Sequence, residues 1–201
     1  MKLYYARGAC SLATHIVLYE TGQSFTTQST DTKTHRMSDG GDFHTINPNG
    51  YVPVLELDNG ERLTEAAVTL QYLADQHPAA GLLPVSGLAR YRVLEWVNFV
   101  ATEVHKSFTP LFTANTPEDY KPLAREKVSN RLAYVNQRLE GNSFLLGEQY
   151  TIADPYLFVV SNWARFVEVD LTPLTHLVKY RERVAQRPAV QAAMRAEGLL
   201  K

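Results

Sequence analysis

The stretch that decides the fold is Asn47-Pro48-Asn49-Gly50-Tyr51-Val52-Pro53-Val54-Leu55-Glu56-Leu57-Asp58-Asn59-Gly60-Glu61-Arg62-Leu63-Thr64-Glu65-Ala66. Asn-Pro-Asn-Gly is a strong turn signal, since Pro presets φ while Asn and Gly tolerate the left-handed region. Residues 52–57 then read as a strand, Asp58-Asn59-Gly60 as a hairpin turn and residues 61–63 as the returning strand. Thr64 opens a helix running to about Gln76, with Ala67, Leu70, Tyr72 and Leu73 as its apolar set. Working outward toward the start, residues 25–29 alternate with Thr like a strand. Residues 12–20 place Leu12, His15, Ile16 and Tyr19 at helical spacing, and Lys2–Tyr5 is rich in strand formers. The order is β-α-β, then a hairpin, then α, which predicts a small mixed sheet covered by helices.

Working outward toward the end, residues 77–87 hold two prolines and two glycines and read as a linker. The domain boundary is expected within residues 78–86, giving an α/β domain over 1–80 and an all-helical domain over 81–201. In the second domain strand patterns vanish. Tyr91, Leu94, Val97, Ala101, Val104 and Phe108 form one long helical stripe. Residues 123–139 form another, after Thr116-Pro117-Glu118, where Pro sits at a first helical position. Residues 151–167, 174–186 and 188–197 follow as further helices. Thr151-x-x-Asp154 reads as a capping box with Asp in place of Glu, a structural role, although Pro155 just inside departs from the usual pattern.

The 201 residues are enough for one large domain or two small ones, with a substantial core. Hydrophobic residues make up 45%, charged residues 20%, and the net charge is −1. That balance gives no electrostatic reason to expect nucleic acid or an anionic membrane as partner. No apolar run reaches the ~20 residues that span a bilayer, and the start reads as a mature strand rather than a signal peptide. A single cysteine excludes an intramolecular disulfide framework, which makes a reducing cytoplasm the expected compartment. The six histidines show no metal-ligand spacing, so no metal is expected.

That cysteine, Cys10, follows a Gly-containing turn and immediately precedes the first helix. A helix start offers unpaired N–H groups and a positive dipole end, both of which stabilise a thiolate. Redox dithiol motifs need a second cysteine three residues on, where this chain has Ala13. Disulfide chemistry at Cys10 therefore requires an external thiol. A lone cysteine is equally readable as a small buried hydrophobe. Tyr51-Val52-Pro53 suits a strand start, and in thioredoxin-like folds such a proline is cis and faces the active cysteine. Thr64-Glu65-Ala66 supplies helix-start N–H groups for a carboxylate and an acid for an ammonium; an ordinary N-cap explains the same residues.

From end to end the chain resembles a bacterial beta-class glutathione transferase. Lys2-Leu3-Tyr4-Tyr5 with Gly8-Ala9-Cys10-Ser11-Leu12, the turn through Val52-Pro53, Leu63-Thr64-Glu65 and Gln71-Tyr72-Leu73-Ala74-Asp75 carry the resemblance in the first half. Glu95-Trp96-Val97-Asn98-Phe99, residues 101–106 and Thr151-Ile152-Ala153-Asp154 carry it in the second. The resemblance implies a thioredoxin-like N-terminal domain, an all-helical C-terminal domain that lines a hydrophobic substrate site, and a homodimer. It implies glutathione as cosubstrate, with no cofactor, and a hydrophobic electrophile as second substrate. Cys10 would contact the glutathione sulfur and form a mixed disulfide with it. Val52 would pair with the cysteinyl part, Glu65 and Ala66 would hold the γ-glutamyl end, and Pro53 would be structural. Asn98, Thr102, Glu103, Val104 and His105 match residues lining the cleft or reaching a neighbouring subunit's glutathione. An unbroken helix would put Asn98, Thr102 and His105 on one face.

Two positions depart from the family pattern. His35 stands where a lysine often meets the glycyl carboxylate, a contact imidazole makes when protonated, with Lys33 and Arg36 near in sequence. Ala66 replaces a frequent serine, which removes about one hydrogen bond, ~0.5–1.5 kcal/mol. The expected activity is conjugation by glutathione thiolate, with Ser11 and His105 able to stabilise the sulfur anion and His105 ranked with Cys10 as catalytic. Thiol–disulfide exchange through a Cys10–glutathione mixed disulfide is expected beside it; a glutathione-dependent thiol transferase or peroxidase, and a non-catalytic binding protein for hydrophobic compounds, are the alternatives.

Overall fold

The computed structural model describes all residues, Met1–Lys201, and contacts divide it into two compact units, Met1–Leu83 with Arg187–Lys201, and Pro84–Gln186. The first unit thus takes in the last helix, which the sequence pattern groups with the helical half.

The first unit is built on strands β1 (Lys2–Tyr5), β2 (Thr26–Ser29), β3 (Val54–Glu56) and β4 (Arg62–Thr64), in the order β2-β1-β3-β4. β1 and β2 are parallel, while β3 is antiparallel to both β1 and β4. Alternation of side chains sends the pair Leu3 and Leu55, both fully buried, to one face of the sheet. The pair Tyr4 and Val54 points to the other, into a cluster with Phe43 and Val52. Helices α1 (Ser11–Glu20) and α2 (Ala66–Gln76) pack together, and a buried hydrogen bond of 2.8 Å joins Thr14 to Thr69. The last helix, α8 (Pro188–Ala196), packs on α1.

Two expectations in this unit need correction. The strand after the Asn-Pro-Asn-Gly turn begins at Val54, because Pro53 has no N–H for the ladder; the Val52–Pro53 peptide is cis. Thr64 ends β4 instead of opening α2, and Glu65, at φ 65°, makes the break between them. Its side chain makes no capping hydrogen bond.

The second unit is helical. α3 (Gly87–Phe99) runs through one wide turn, Val100–His105, into α4 (Lys106–Phe112). α5 (Lys121–Arg138) packs against α4, and α6 (Ala153–Ser161) packs against the wide turn, α3 and α7 (Thr175–Ala185). Pro117 lies before α5, whose early proline is Pro122. The expected helix 151–167 is shorter, since its second part, Asn162–Phe166, tightens into a 3₁₀ segment. The Asp154 carboxylate accepts from the Thr151 N–H at 2.7 Å, the Thr151 hydroxyl, the Leu145 N–H and the Tyr180 hydroxyl. Only half of the expected capping box forms: Asp154 reaches back to the Thr151 N–H, while the Asp154 N–H goes to the Thr151 carbonyl and α6 starts after Ile152 with no side-chain cap. The carboxylate also ties α6 to a distant loop and to α7. Burial raises the Asp154 pKa to about 6 despite those four donors.

Candidate functional site

Cys10 is half-buried at the start of α1, and its thiol donates to the Val52 carbonyl at 3.2 Å. This is the contact that brings the two sequence elements, Gly8–Leu12 and Tyr51-Val52-Pro53, to one place. The loop before Cys10 turns at Gly8, at φ 68°, a left-handed value that glycine adopts without steric cost. Ser11 is fully buried and its hydroxyl is engaged with Ala6, accepting from its N–H at 3.2 Å and donating to its carbonyl at 3.3 Å. Ser11 therefore braces the loop, and the sulfur-stabilising role expected for it is not supported. Asn47 holds the following turn, with its side-chain amide donating to the Tyr51 carbonyl at 2.8 Å.

Glu65 is solvent-exposed and, like His35, is a non-glycine residue at positive φ. Such a conformation costs on the order of 1–3 kcal/mol, and residues held this way cluster at functional sites. Its carbonyl starts α2 by accepting from the Val68 and Thr69 N–H groups, both at 3.0 Å, while its carboxylate stays in solvent. Ala66 is buried, with only its backbone to offer.

His35 is half-buried and packs on His44 with ring centroids 4.3 Å apart. The pair sits over Gly50, where an added Cβ would come within 2.7 Å of the His35 ring. His35 Nδ1 is buried and has no hydrogen-bond partner. Lys33 and Arg36 are both exposed.

On the second unit, the residues expected on one helical face separate. Asn98 and Thr102 are exposed, and the Thr102 hydroxyl donates to the Asn98 carbonyl at 3.0 Å. Glu103 pairs with Arg131 of α5 at 2.8 Å, and Val104 is fully buried. His105 is half-buried, with Nδ1 2.8 Å from the Tyr156 hydroxyl and its ring edge-on to Trp163 at 4.9 Å. The physical cause is the wide turn, whose i→i+5 pattern carries an extra residue and rotates the helix beyond it. Burial, with the Lys106 charge second, lowers the His105 pKa to about 4. The ring is accordingly uncharged at neutral pH and can act as a neutral donor or acceptor, depending on its tautomer.

No sequence pattern assigns a role to Tyr156 or Trp163, the partners of His105. The 51-residue separation of His105 and Tyr156 leaves no local signal for that pair. No group of three or more His, Cys, Asp or Glu residues is brought together in a way that could hold a metal ion. No helix is long and apolar enough to cross a membrane.

Family models described as the glutathione S-transferase N-terminal and C-terminal domains match residues 8–76 and 99–188. Glutathione S-transferase GstA of Escherichia coli O157:H7 is 48% identical, over 99% of this chain and 100% of its own length. A sphingomonad glutathione S-transferase solved in complex with glutathione is 45% identical over the whole of both chains, with a TM-score of 0.95. The bacterial beta-class enzyme of Sphingomonas chungbukensis is 43% identical over the whole of both chains, with a TM-score of 0.96.

Proposed function

The chain belongs to the glutathione S-transferase family, in its bacterial beta class, and from that premise we propose that it conjugates reduced glutathione to hydrophobic electrophiles. The observation that carries the reading is the Cys10 thiol set at the start of α1 and 3.2 Å from the Val52 carbonyl. A glutathione sulfur beside that thiol would meet helix-start N–H groups, and the Val52 backbone would pair with the ligand's cysteinyl part. Glu65 is assigned the ligand's ammonium, and Ala66 its γ-glutamyl carboxylate through the backbone N–H. His35, with Lys33 and Arg36 beside it in sequence, is assigned the glycyl carboxylate. Asn98, Thr102, Glu103, Val104 and His105 belong to the same proposal as contributions of the helical unit, with His105 as a neutral hydrogen-bonding group for the developing sulfur anion.

In conjugation the glutathione S–H gives up its proton to solvent water. The thiolate electron pair forms the new carbon–sulfur bond, and the electrophile's leaving group or π bond takes up the displaced pair. In the second reaction the Cys10 thiolate attacks the glutathionyl sulfur of a mixed disulfide, forms the Cys10–glutathione disulfide and expels the other thiolate. A glutathione thiolate then attacks the glutathionyl sulfur of that adduct, yielding glutathione disulfide and regenerating Cys10. The half-exposed position of Cys10 favours this second activity, because a fully buried thiol could not be reached. The proposal includes a homodimer in the cytoplasm and needs no cofactor beyond glutathione.

The test is retention on immobilised glutathione, together with activity toward a panel of aryl halides, hydroperoxides and mixed disulfides. Oxidised glutathione should add one glutathione to the protein by mass, removable by a reductant. Failure to bind glutathione would overturn the proposal; binding with no activity toward any of the panel would leave a non-catalytic binding protein in its place.

A further inference from the structure

We propose that Glu197, just beyond α8, is a positioning residue for the Cys10 thiol, acting through the backbone of Gly8. The Glu197 side chain is completely buried. One oxygen accepts from the Gly8 N–H at 2.8 Å, and the other lies 3.0 Å from Nδ1 of His15, itself 1% exposed. Gly8 is two residues before Cys10, and His15 is on the helix that Cys10 starts. One carboxylate therefore fixes both ends of the segment that carries the thiol.

Neighbouring contacts point to the same place. The Arg7 guanidinium donates to the Gly198 carbonyl, and the Leu199 side chain lies 3.6 Å from where a Cβ on Gly8 would be. Arg187 makes a two-pronged pair with Glu20 at the far end of α1, at 2.7 and 2.9 Å. Within the loop, Ser11 holds Ala6, so the turn before Cys10 is restrained from α1 and from Glu197.

A buried carboxylate is costly unless its lone pairs are satisfied, and an apolar side chain in its place would serve packing as well or better. What an apolar residue cannot do is accept the Gly8 N–H, which belongs to no strand or helix. Deprived of this acceptor, the N–H would draw the turn toward another one, carrying Cys10 with it. Thiolate stabilisation at a helix start falls off within a turn, so it is sensitive to such a shift. The role of Glu197 is thus to hold the thiol where the N–H groups of α1 act on it.

The inference rests on the reading of Cys10 as the reactive thiol, and the test separates the two. Cys10 is the sole cysteine, so the rate of alkylation by iodoacetamide at neutral pH, well below the thermal midpoint, reports this thiol alone. Wild-type Cys10 should react faster than a free-cysteine peptide; if it does not, the reading of the thiol fails. Given a fast wild type, Glu197→Ala should slow alkylation about tenfold, the effect of roughly one lost charge-assisted hydrogen bond. Glu197→Gln, whose amide oxygen can still accept from Gly8, should recover most of the rate. A merely structural Glu197 would lower the thermal midpoint in Glu197→Ala and leave the folded protein's alkylation rate unchanged or raised, and either result overturns the proposal. If the alanine variant does not fold, Glu197→Asp, shorter by one methylene, replaces it with the same expected direction. In wild type the Gly8 amide should exchange slowly with solvent hydrogen, and exchange as fast as an exposed loop amide would equally sink it.

Discussion

The loop at residues 6–11 and the segment at residues 98–105 both carry candidate chemistry, and they are made in opposite ways. The first is written in backbone: small residues, a left-handed glycine, a serine braced on Ala6, and a thiol aimed at a carbonyl. The second is written in side-chain packing, with a wide helical turn that delivers His105 to Tyr156 and Trp163. Backbone-built sites depend on local dihedral preferences and hence on short motifs. Sites built by packing depend on partners brought from elsewhere in the chain, and no local window contains them.

Removing the thiol should have the largest effect. Cys10→Ala eliminates disulfide exchange and the glutathione adduct, because the chain holds no other thiol, yet it leaves part of the conjugating activity. Adduct mass and rates with both substrate types measure this; surviving exchange would break the assignment. The next change is also on the backbone-built side. Glu65→Ala should abolish retention on immobilised glutathione by leaving the ligand's ammonium unpaired, and calorimetry showing unchanged binding would remove Glu65 from the proposed site.

Those two residues illustrate how much the sequence makes legible. Cys10, Val52-Pro53 and Glu65 stand out because a turn, a proline and a helix start each restrict the backbone locally. Thr64 is misread as opening α2, since nothing in the letters Thr-Glu-Ala shows that Glu65 sits at φ 65° and breaks strand from helix. The expected common face of Asn98, Thr102 and His105 assumes 3.6 residues per turn throughout, and one wide turn is enough to undo it. Glu197 carries no signal at all. A glutamate at a helix end reads as a solvated residue, and its partner Gly8 is 189 positions away.

Stability separates the two regions further. Asp154→Ala should cost roughly 3 kcal/mol in denaturant unfolding, because it strands the Thr151 and Leu145 N–H donors in the interior, while the Tyr180 hydroxyl keeps the residue-154 carbonyl. A change below ~1 kcal/mol would show that α6 is held by apolar packing alone.

The smallest expected effect is a pH dependence. His105 is lowered from 6.5 to about 4 in the folded protein, so its contribution to stability is present above pH 6.5 and lost as pH falls through about 4. Asp154, raised to about 6, acts with the opposite sign: its contribution is present below 3.8 and lost as pH rises through about 6. The two partly offset in wild type, and the difference between wild type and His105→Phe isolates the first. The variant should lose less stability than wild type between pH 6.5 and about 4, measured by unfolding midpoints. Parallel curves would mean that the ring is not desolvated as described. In the same comparison His105→Ala should weaken conjugation without touching the glutathione adduct on Cys10.

The discontinuity of the first unit has a consequence for how the protein comes into being. α1 and α8 are packed together although the whole of Pro84–Gln186, about a hundred residues, lies between Leu83 and Arg187. On a ribosome adding ~5–20 residues per second, α1, which ends at Glu20, waits roughly 8–35 s for α8, which begins at Pro188. Until then Gly8, His15 and Glu20 await the residues that will bind them, and the thiol is born before the carboxylate that positions it. The nascent first unit is therefore an incomplete body, and a fragment limited to residues 1–83 would reproduce that unfinished intermediate rather than an independent domain.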